Sequence, residues 1–290
     1  MQKIAIRAAQ GLGDALIMLL ASETFRKRGF LVTTFTPQYN HLKPLFPDHH
    51  FLPYGPIDPS YRRLIVQNDN TSLSFVNTDR ERLTFFYPTY DSKKHPPLAP
   101  QDVVFNPLKT MVENVMEAVS TQDKDNGLKL PPGLTFQKYP RRLIIHPTSA
   151  DPSHIYPREA FLRLAKNLNK KGWDIHFIVA PHEKKEWETL PYPVHALSFI
   201  DLSAFLYESG YLIGNESGPC HLASNVGLPT TMIGSCPKRL KLWKPGFTLG
   251  KILTPSPLIP NFKGCRLRST YWHKWISWSL LTRAGLSSVT

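Results

Sequence analysis

Apolar runs and stretches of helical periodicity alternate through the first half of the chain. Three strands are predicted there, at residues 3–8, 30–36 and 63–67, and two helices, at residues 15–28 and 107–120. A glycine turn joins the first strand to the first helix, which ends at Gly29, and the later connections are rich in proline. The pattern predicts an α/β domain.

The second half repeats the alternation more regularly. Strands are predicted at 143–146, 174–180, 194–197, 211–214 and 230–233, and helices at 158–171, 182–190, 202–208 and 218–226. Strands that alternate with helices of this length are typical of a doubly wound parallel sheet. The second half is therefore predicted to be a second, Rossmann-like domain.

The length of the chain and the loop-like composition of its middle favour two domains. The chain has 290 residues, of which 41% are hydrophobic, enough for two cores of ordinary size. A polar stretch at 123–127 and the Leu-Pro-Pro-Gly run at 130–133 have the composition of a loop and a linker. We predict a first domain over residues 1–138 and a second over residues 139–270.

The last segment, residues 271–290, begins with a predicted helix over 271–281. Trp272, Trp275 and Trp278 follow one another at three-residue spacing in it. Such a helix could pack against the protein, or it could lie at a membrane surface, where tryptophan is favoured.

A short apolar run and the cysteine content indicate the compartment in which the protein is expected to work. The apolar run at 15–21 is short and lies between Asp14 and Glu23, so it predicts neither a signal peptide nor a membrane span. Three cysteines without CxxC spacing predict neither a disulfide framework nor a structural zinc site, and they favour a reducing cytosol.

The formal net charge is +13, and no Asp or Glu follows Glu216. The charged residues after it include Lys238, Arg239, Lys241, Lys244, Lys251, Lys263, Arg266, Arg268, Lys274 and Arg283. A surface of one sign attracts phosphates, acidic glycolipids or nucleic acid, although it could also be no more than a solvated basic face.

The first candidate site is the glycine turn after the first strand. Gly11 and Gly13 permit a tight turn and a close approach of ligand to backbone, and Asp14 follows them. The turn lacks the full GxGxxG fingerprint of dinucleotide sites. Asp14 could therefore act in chemistry, or it could be a helix N-cap or first-turn residue.

The second candidate site is the polar segment after the strand at 211–214. Glu216, Ser217, Gly218 and Pro219 lead into a helix, and the free N–H groups at its start could hold a diphosphate. Glu216 and His221 could bond to sugar or ribose hydroxyls. The alternative for His221 is a core histidine.

The third candidate site follows the strand at 143–146. Thr148 and Ser149 offer hydroxyl groups to a phosphate, and His154 and Arg158 could supply positive charge. The alternative is a plain lead into the next helix, with Pro157 in its first turn.

Together these three segments resemble glycosyltransferase family 9, which contains the lipopolysaccharide heptosyltransferases. The resemblance is strongest over 143–235 and moderate over 1–29, and we see none between 40 and 138. Gly13-Asp14 occupies the place of the family's Gly-Asp pair, so the resemblance gives Asp14 the role of catalytic base.

Two motifs depart from the family's pattern. The family's Lys-x-Trp-Pro element falls on residues 154–157, where His154 replaces its lysine, and Tyr156 replaces its tryptophan. Its Asp-(Ser/Thr)-Gly-Pro-x-His-Leu donor motif is matched by residues 216–222, with Glu216 in place of aspartate. Both departures concern the donor side.

The resemblance implies a GT-B architecture, in which two Rossmann-like domains face a central cleft and residues 271–290 pack back over the first domain. It implies an inverting, metal-independent transfer of heptose from ADP-heptose to a glycan acceptor such as lipopolysaccharide core. Lys238, Arg239 or Arg158 would stabilise the leaving diphosphate. No cofactor is expected, and the expected location is the bacterial cytoplasm, in possible contact with the anionic inner face of the membrane.

Other functions fit the same residues. A catalytically silent GT-B module that binds a nucleotide sugar or glycan as a partner protein would explain the two departures. A nucleotide-sugar epimerase could use the same architecture. Nucleic-acid binding would fit the charge, but no RNP, helix-turn-helix or zinc signature supports it.

Overall fold

The computed structural model describes residues 2–68, 79–149, 155–263 and 265–276. The chain divides between Leu130 and Pro131 into two compact units, and each contains a sheet of six strands. The strand pairs are parallel in both sheets. The predicted α/β class is therefore confirmed.

The strands of the first unit are β1 (Lys3–Arg7), β2 (Leu31–Phe35), β3 (His50–Leu52), β4 (Arg63–Gln67), β5 (Leu83–Tyr87) and β6 (Val103–Val104). Its helices are α1 (Leu12–Lys27), α2 (Tyr39–Leu42) and α3 (Met111–Ala118). The sheet has the order β3-β2-β1-β4-β5-β6.

Helix α1 lies in the interior of the first unit. It contacts β1, β2 and α3, and residues 15–21 are fully buried, which explains their continuous apolar run. The buried hydroxyl groups of Ser22 in α1 and Thr34 in β2 form a hydrogen bond of 2.7 Å, so each has a partner inside the unit. Helix α3 begins with a capping box between Thr110 and Glu113.

The strands of the second unit are β7 (Tyr139–His146), β8 (Asp174–Ile178), β9 (Val194–His195), β10 (Ser209–Asn215), β11 (Thr230–Ile233) and β12 (Gly250–Leu253). Its helices are α4 (Arg158–Asn169), α5 (Lys184–Trp187), α6 (Phe199–Tyr207), α7 (Gly218–Asn225), α8 (Pro237–Trp243) and α9 (Leu267–Thr270). The sheet has the order β12-β11-β10-β7-β8-β9.

Both sheets follow the Rossmann strand order. In each, three strands are laid outward from the middle, and the chain then returns to the middle and lays three in the other direction. The direction reverses between β1 and β4 in the first unit and between β7 and β10 in the second. Ligands of such sheets bind at the carboxyl ends of the strands beside this switch point. The fold therefore directs attention to the loops after these strands.

Most predicted elements are confirmed within a few residues, and β4 and β11 match their predicted bounds. Four strands and three helices were missed: β3, β5, β6, β12, α2, α8 and α9. The helix predicted at 182–190 is a 3₁₀ turn at Pro181–Glu183 followed by the one-turn helix α5.

The end of the described chain differs from the predicted Trp-rich helix. Residues Trp272–Trp275 form a 3₁₀ turn, and Ile276 is extended, so an α-helix from Tyr271 is wrong over the described part. Trp272 and Ile276 lie in the core of the second unit. Trp278 and the rest of the predicted packing of 271–290 fall outside the described residues.

Candidate functional site

In the first unit the candidate base stands at the switch point. Gly11 is the N-cap of α1, so Asp14 lies in the first turn of this helix, where a negative charge is favoured by the helix dipole. Its side chain is partly exposed, and Oδ1 accepts a hydrogen bond from Nε2 of Gln67, the last residue of β4. Gln67 is buried, and its Oε1 accepts a hydrogen bond from the Ala9 N–H at 3.4 Å. Gln67 therefore links the loop after β1 to the neighbouring strand.

The absence of a side chain at Gly11 leaves room for the Asp14 carboxylate. A Cβ atom at this position would lie 2.4 Å from Oδ2 of Asp14, closer than real Cβ contacts allow. The Asp14 carboxylate thus folds back over the glycine. Gly13 is buried within the first turn of α1. Both glycines serve the placement of the carboxylate, and their predicted contact with a ligand stays a prediction.

In the second unit the switch point is organised by Asn215, the last residue of β10. Its side chain is fully buried. Nδ2 donates to the carbonyl oxygen of Pro147 at 2.6 Å, and Oδ1 accepts from the Tyr156 N–H at 3.0 Å. Asn215 therefore holds both ends of the connection between β7 and α4, the connection that contains the third candidate site.

Ser149 and Thr148 donate their hydroxyl protons within the protein. The Ser149 hydroxyl donates to the backbone carbonyl of Glu216 at 2.9 Å, which is a second link between the loops after β7 and β10. The Thr148 hydroxyl donates to Oε2 of Glu183 at 3.0 Å, and the same oxygen accepts from the Ala180 N–H at 2.8 Å. A phosphate would have to displace these acceptors to receive either hydroxyl proton.

Glu216 and Arg239 form an ion pair. Nε of Arg239 donates to both carboxylate oxygens, at 3.0 and 2.9 Å, and its Nη2 lies 2.9 Å from Oε1. The Glu216 side chain is 14% exposed and that of Arg239 is 47% exposed. A pair this open to water is worth about 0–1 kcal/mol. A ligand with phosphate and hydroxyl groups could therefore separate the pair at small cost.

Helix α7 begins at Gly218 directly after this pair, with Ser217 extended at its N-cap and Pro219 in its first turn. Ser217, Gly218 and Pro219 are partly exposed, so the start of the helix is open to solvent. Gly214 is needed behind it, because a Cβ there would lie 2.9 Å from the His146 carbonyl oxygen. Pro219 has no N–H group, and the Cys220 N–H donates to the Ser217 carbonyl at 3.2 Å, so the Gly218 N–H and the positive end of the helix dipole are what this helix start offers to an anion.

His221 lies inside α7 and is 3% exposed. Its Nδ1 has no hydrogen-bond partner among the described residues, and its ring meets Trp243 edge-on with centroids 6.5 Å apart. Burial lowers the pKa of His221 to about 4, so the imidazole is neutral near pH 7. His221 is therefore buried like a core histidine, but its Nδ1 is not satisfied within the described residues, and its predicted bond to a ligand stays a prediction.

The remaining candidates are spread around this site. Arg158 donates to the Thr189 hydroxyl at 3.1 Å, and its guanidinium lies over the Trp187 ring at 5.1 Å, so it is engaged with the segment around α5. Lys238 is exposed in the first turn of α8. His154 lies outside the described residues. The predicted cationic roles of these three residues stay predictions.

Sequence reasoning gave no role to three residues that build the sites: Gln67, Asn215 and Glu183. The first two are polar residues that end an apolar strand beside the switch point. That position is a usable signal, because a polar side chain there faces the ligand edge of the sheet. Glu183 has no such signal, since it follows β8 in a turn.

Within the described residues, no group of three or more His, Cys, Asp or Glu side chains is placed to hold a metal ion. None of the described helices combines the length and the apolar character needed to span a bilayer. Metal independence stays a prediction, and so does the cellular location.

Comparisons with known proteins support the same interpretation. Residues 106–244 match the model of glycosyltransferase family 9 (heptosyltransferase). This range includes the second and third candidate sites and leaves out the loop with Asp14. No curated protein matches the sequence.

Three solved structures share the fold at low sequence identity. The ADP-heptose lipopolysaccharide heptosyltransferase II of E. coli has a TM-score of 0.64 and 13% identity, over 92% of this chain and 94% of that one. A family 9 glycosyl transferase from Veillonella parvula DSM 2008 has a TM-score of 0.62 and 17% identity, over 99% and 97%. The E. coli heptosyltransferase WaaC with ADP has a TM-score of 0.59 and 14% identity, over 87% and 93%.

The predicted GT-B fold and the resemblance to family 9 are thereby confirmed. The chain therefore has the fold of the heptosyltransferases, and its residues 106–244 match glycosyltransferase family 9.

Proposed function

We propose that this chain transfers a sugar from a nucleotide diphosphate donor to a hydroxyl group of a glycan acceptor, with inversion and without a metal ion. Heptose from ADP-heptose is the favoured donor and lipopolysaccharide core the favoured acceptor, because the relatives of this fold are heptosyltransferases. The proposed site of action is the bacterial cytoplasm.

The observation that carries the proposal is the start of α7. An open helix N-terminus, a carboxylate and a buried neutral imidazole with an orphaned Nδ1 stand together after β10. The Gly218 N–H and the positive end of the helix dipole suit a diphosphate, while Glu216 and His221 suit hydroxyl groups. An orphaned buried nitrogen is costly unless a ligand satisfies it.

Asp14 is the proposed general base. The acceptor oxygen attacks the anomeric carbon on the side opposite the diphosphate, and its proton passes to the Asp14 carboxylate as the new C–O bond forms. Such a base contributes about 10²–10⁴-fold to the rate. The hydrogen bond from Gln67 to Oδ1 of Asp14 helps to fix the orientation of the carboxylate.

The bond from the anomeric carbon to the diphosphate breaks in the same step, and negative charge builds up on the leaving oxygen. The positive end of the α7 dipole, with the Gly218 N–H, is in place for such a charge before the reaction begins, which is the efficient form of electrostatic stabilisation. Arg239 becomes available to the diphosphate if the Glu216 carboxylate turns to the sugar or ribose. Its position beside the helix start supports this exchange.

A silent nucleotide-sugar or glycan-binding module is the second candidate. The observation in its favour is the Glu216–Arg239 ion pair, in which the two side chains proposed to bind the donor bind each other instead. If the pair does not open, binding could occur without turnover.

The first experiment is a calorimetric screen of ADP, UDP, GDP, CMP and ADP-heptose against the wild type, Glu216→Ala and Asp14→Asn. We expect one nucleotide to bind, with an affinity that falls in Glu216→Ala and survives in Asp14→Asn. Glu186→Ala, an exposed glutamate on α5, and Glu81→Gln in the first unit are the controls for loss of a carboxylate.

If none of the ligands binds, the transferase proposal fails together with its donor assignment. If ADP-heptose binds but is never consumed with a lipopolysaccharide core acceptor, the silent module is supported instead. Turnover in excess EDTA tests the metal prediction, because a metal-dependent enzyme would lose its activity there.

A further inference from the structure

The chain after β12 folds into a small C-terminal lobe, which we define as residues 256–263 and 265–276. Phe262 and Cys265 form an antiparallel bridge through two backbone hydrogen bonds of 3.0 and 2.9 Å. Nη1 of Arg268 donates to the Pro257 carbonyl at 2.9 Å, and its backbone N–H donates to Pro260 at 3.1 Å. These contacts hold the hairpin and α9 together as one substructure.

One side of the C-terminal lobe is fixed in the core of the second unit. Trp272 is 5% exposed and packs on Tyr156, with ring centroids 5.7 Å apart, and Ile276 joins the same core. The lobe is thus anchored by buried aromatic and aliphatic side chains. Trp272 and Ile276 are the described side chains of the lobe that belong to this core.

The outward side is unusually apolar. Leu258 is 89% exposed and Phe262 is 64% exposed, and three more large apolar side chains are 41–45% exposed: Leu267, Tyr271 and Trp275. Single exposed apolar residues are ordinary, but several on one small substructure indicate a surface that is covered by a partner.

Exposed basic side chains belong to the same lobe. Lys263, Arg266 and Lys274 are exposed, and Nζ of Lys274 lies 4.9 Å from the centre of the Tyr271 ring. No acidic residue follows Glu216 in the chain, so nothing within the lobe's own sequence neutralises this charge. The lobe therefore combines extended apolar side chains with charge of one sign.

We propose that the C-terminal lobe docks the chain on the surface of an anionic lipid bilayer. Leu258 and Phe262 would enter the boundary between headgroups and acyl chains, where aromatic and aliphatic groups are favoured. The lysines and arginines would stay at the level of the negative headgroups. The inference does not depend on the transferase activity.

The charge alone would also suit a nucleic acid, but the apolar groups favour lipid. Phosphate backbones are bound by basic side chains, and bases stack on aromatic rings. Neither contact buries an aliphatic side chain such as Leu258, which a bilayer does. Charge complementarity and exposed apolar tips together therefore point to a membrane surface.

The test is co-sedimentation of the full chain with vesicles of phosphatidylglycerol and phosphatidylcholine, compared with vesicles of phosphatidylcholine alone. We expect binding to the anionic vesicles that weakens with added salt. The double variant Leu258→Ser/Phe262→Ser should lower the partition coefficient by about tenfold or more, from the apolar area it removes. Lys263→Ser/Arg266→Ser should lower it by about tenfold on anionic vesicles.

The matched controls lie elsewhere. Leu108→Ser removes a leucine that is 68% exposed in the first unit, and Lys170→Ser/Lys171→Ser removes two exposed lysines after α4. Both should bind vesicles as the wild type does, and circular dichroism should show every variant folded. No sedimentation with anionic vesicles, or equal losses in the control variants, would overturn the proposal. A gel shift with RNA that the lobe variants abolish, in place of vesicle binding, would assign the surface to nucleic acid.

Discussion

The two switch points of this chain share one strand order but are held together differently. In the first unit, Gln67 connects β4 to the loop after β1 through one side chain. In the second unit, Asn215 and Ser149 connect β10 to the loop after β7 at three points, and an ion pair adds a fourth contact beside them. The first arrangement orients one partly exposed carboxylate, whereas the second fixes a whole loop.

The difference fits the chemical tasks proposed for the two sites. A general base needs a defined direction and access to a proton, and the hydrogen bond from the neutral Gln67 amide to the partly exposed Asp14 carboxylate suits both needs. A diphosphate site needs several donors in fixed positions before the ligand arrives, and buried hydrogen bonds provide that. The comparison predicts that variants of the first switch point change rate, while variants of the second change structure as well.

The largest effect is expected for Asp14→Asn. Removal of the proposed base should lower kcat for sugar transfer by about 10²–10⁴-fold, with donor affinity unchanged. Steady-state kinetics and calorimetry measure the two quantities, and Glu81→Gln is the matched control. A variant that keeps full turnover would show that Asp14 serves only the helix dipole.

The second effect is a loss of stability in acid that is centred on the second unit. Because the pKa of His221 is lowered to about 4 in the folded chain, the unfolded chain takes up its proton first as the pH falls. The free energy of unfolding should therefore decrease between about pH 6.5 and pH 4, by up to about 3 kcal/mol from this group. Burial also lowers the pKa of His146, which acts in the same direction.

Urea unfolding at pH 7, 5.5 and 4.5 measures this loss. His221→Phe should flatten the decrease, and His41→Gln, an exposed histidine in the first unit, should not. Equal slopes in wild type and His221→Phe would contradict a neutral buried His221.

The third effect compares the two linking side chains directly. Asn215→Ala leaves the Pro147 carbonyl and the Tyr156 N–H without their partner, so it should lower the free energy of unfolding by about 2–3 kcal/mol. Gln67→Ala should lower it by only about 1 kcal/mol, while it slows transfer about tenfold through loss of Asp14 orientation.

Denaturant curves and kcat for both variants check this pair. Asn169→Ala, which loses one hydrogen bond at an exposed site, is the stability control. If Gln67→Ala and Asn215→Ala destabilise the protein equally, the two switch points are held alike and the comparison fails.

The smallest effect is expected for Arg239→Ala. Its ion pair is largely open to water, so the free energy of unfolding should change by less than about 1 kcal/mol, and high salt should remove the difference. ADP affinity should nevertheless fall about tenfold, as expected for loss of one charge-assisted contact. Unchanged ADP affinity would leave the pair with a structural role only.

The second unit was easier to predict from sequence, for a physical reason. Its strands and helices alternate at regular spacing, and the donor motif is contiguous from Glu216 to His221, so local pattern and site coincide. In the first unit the strand β3 has three residues and β6 has two, too few for a periodicity to emerge. All five residues of β5 are buried, so this strand shows no alternation of buried and exposed positions either.

Side-chain partnerships were the part that sequence could not supply. Asp14 and Gln67 are 53 positions apart, and Thr148 and Glu183 are 35 apart, so only the folded sheet brings them together. The pairing of Glu216 with Arg239 likewise depends on where α8 begins, and α8 was not predicted. The sequence shows which polar residues stand at the strand ends, but it does not show which side chains or backbone groups they bind.

The short outer strands also bear on how the chain behaves in concentrated solution. Both sheets end in strands of two to four residues: β3 and β6 in one, β9 and β12 in the other. An open sheet edge is a template on which a second molecule can add a strand, and brevity is one of the ways in which proteins prevent this. These short edge strands protect the chain against edge-to-edge aggregation. The net charge of +13 adds to the protection, because two copies of the chain repel each other.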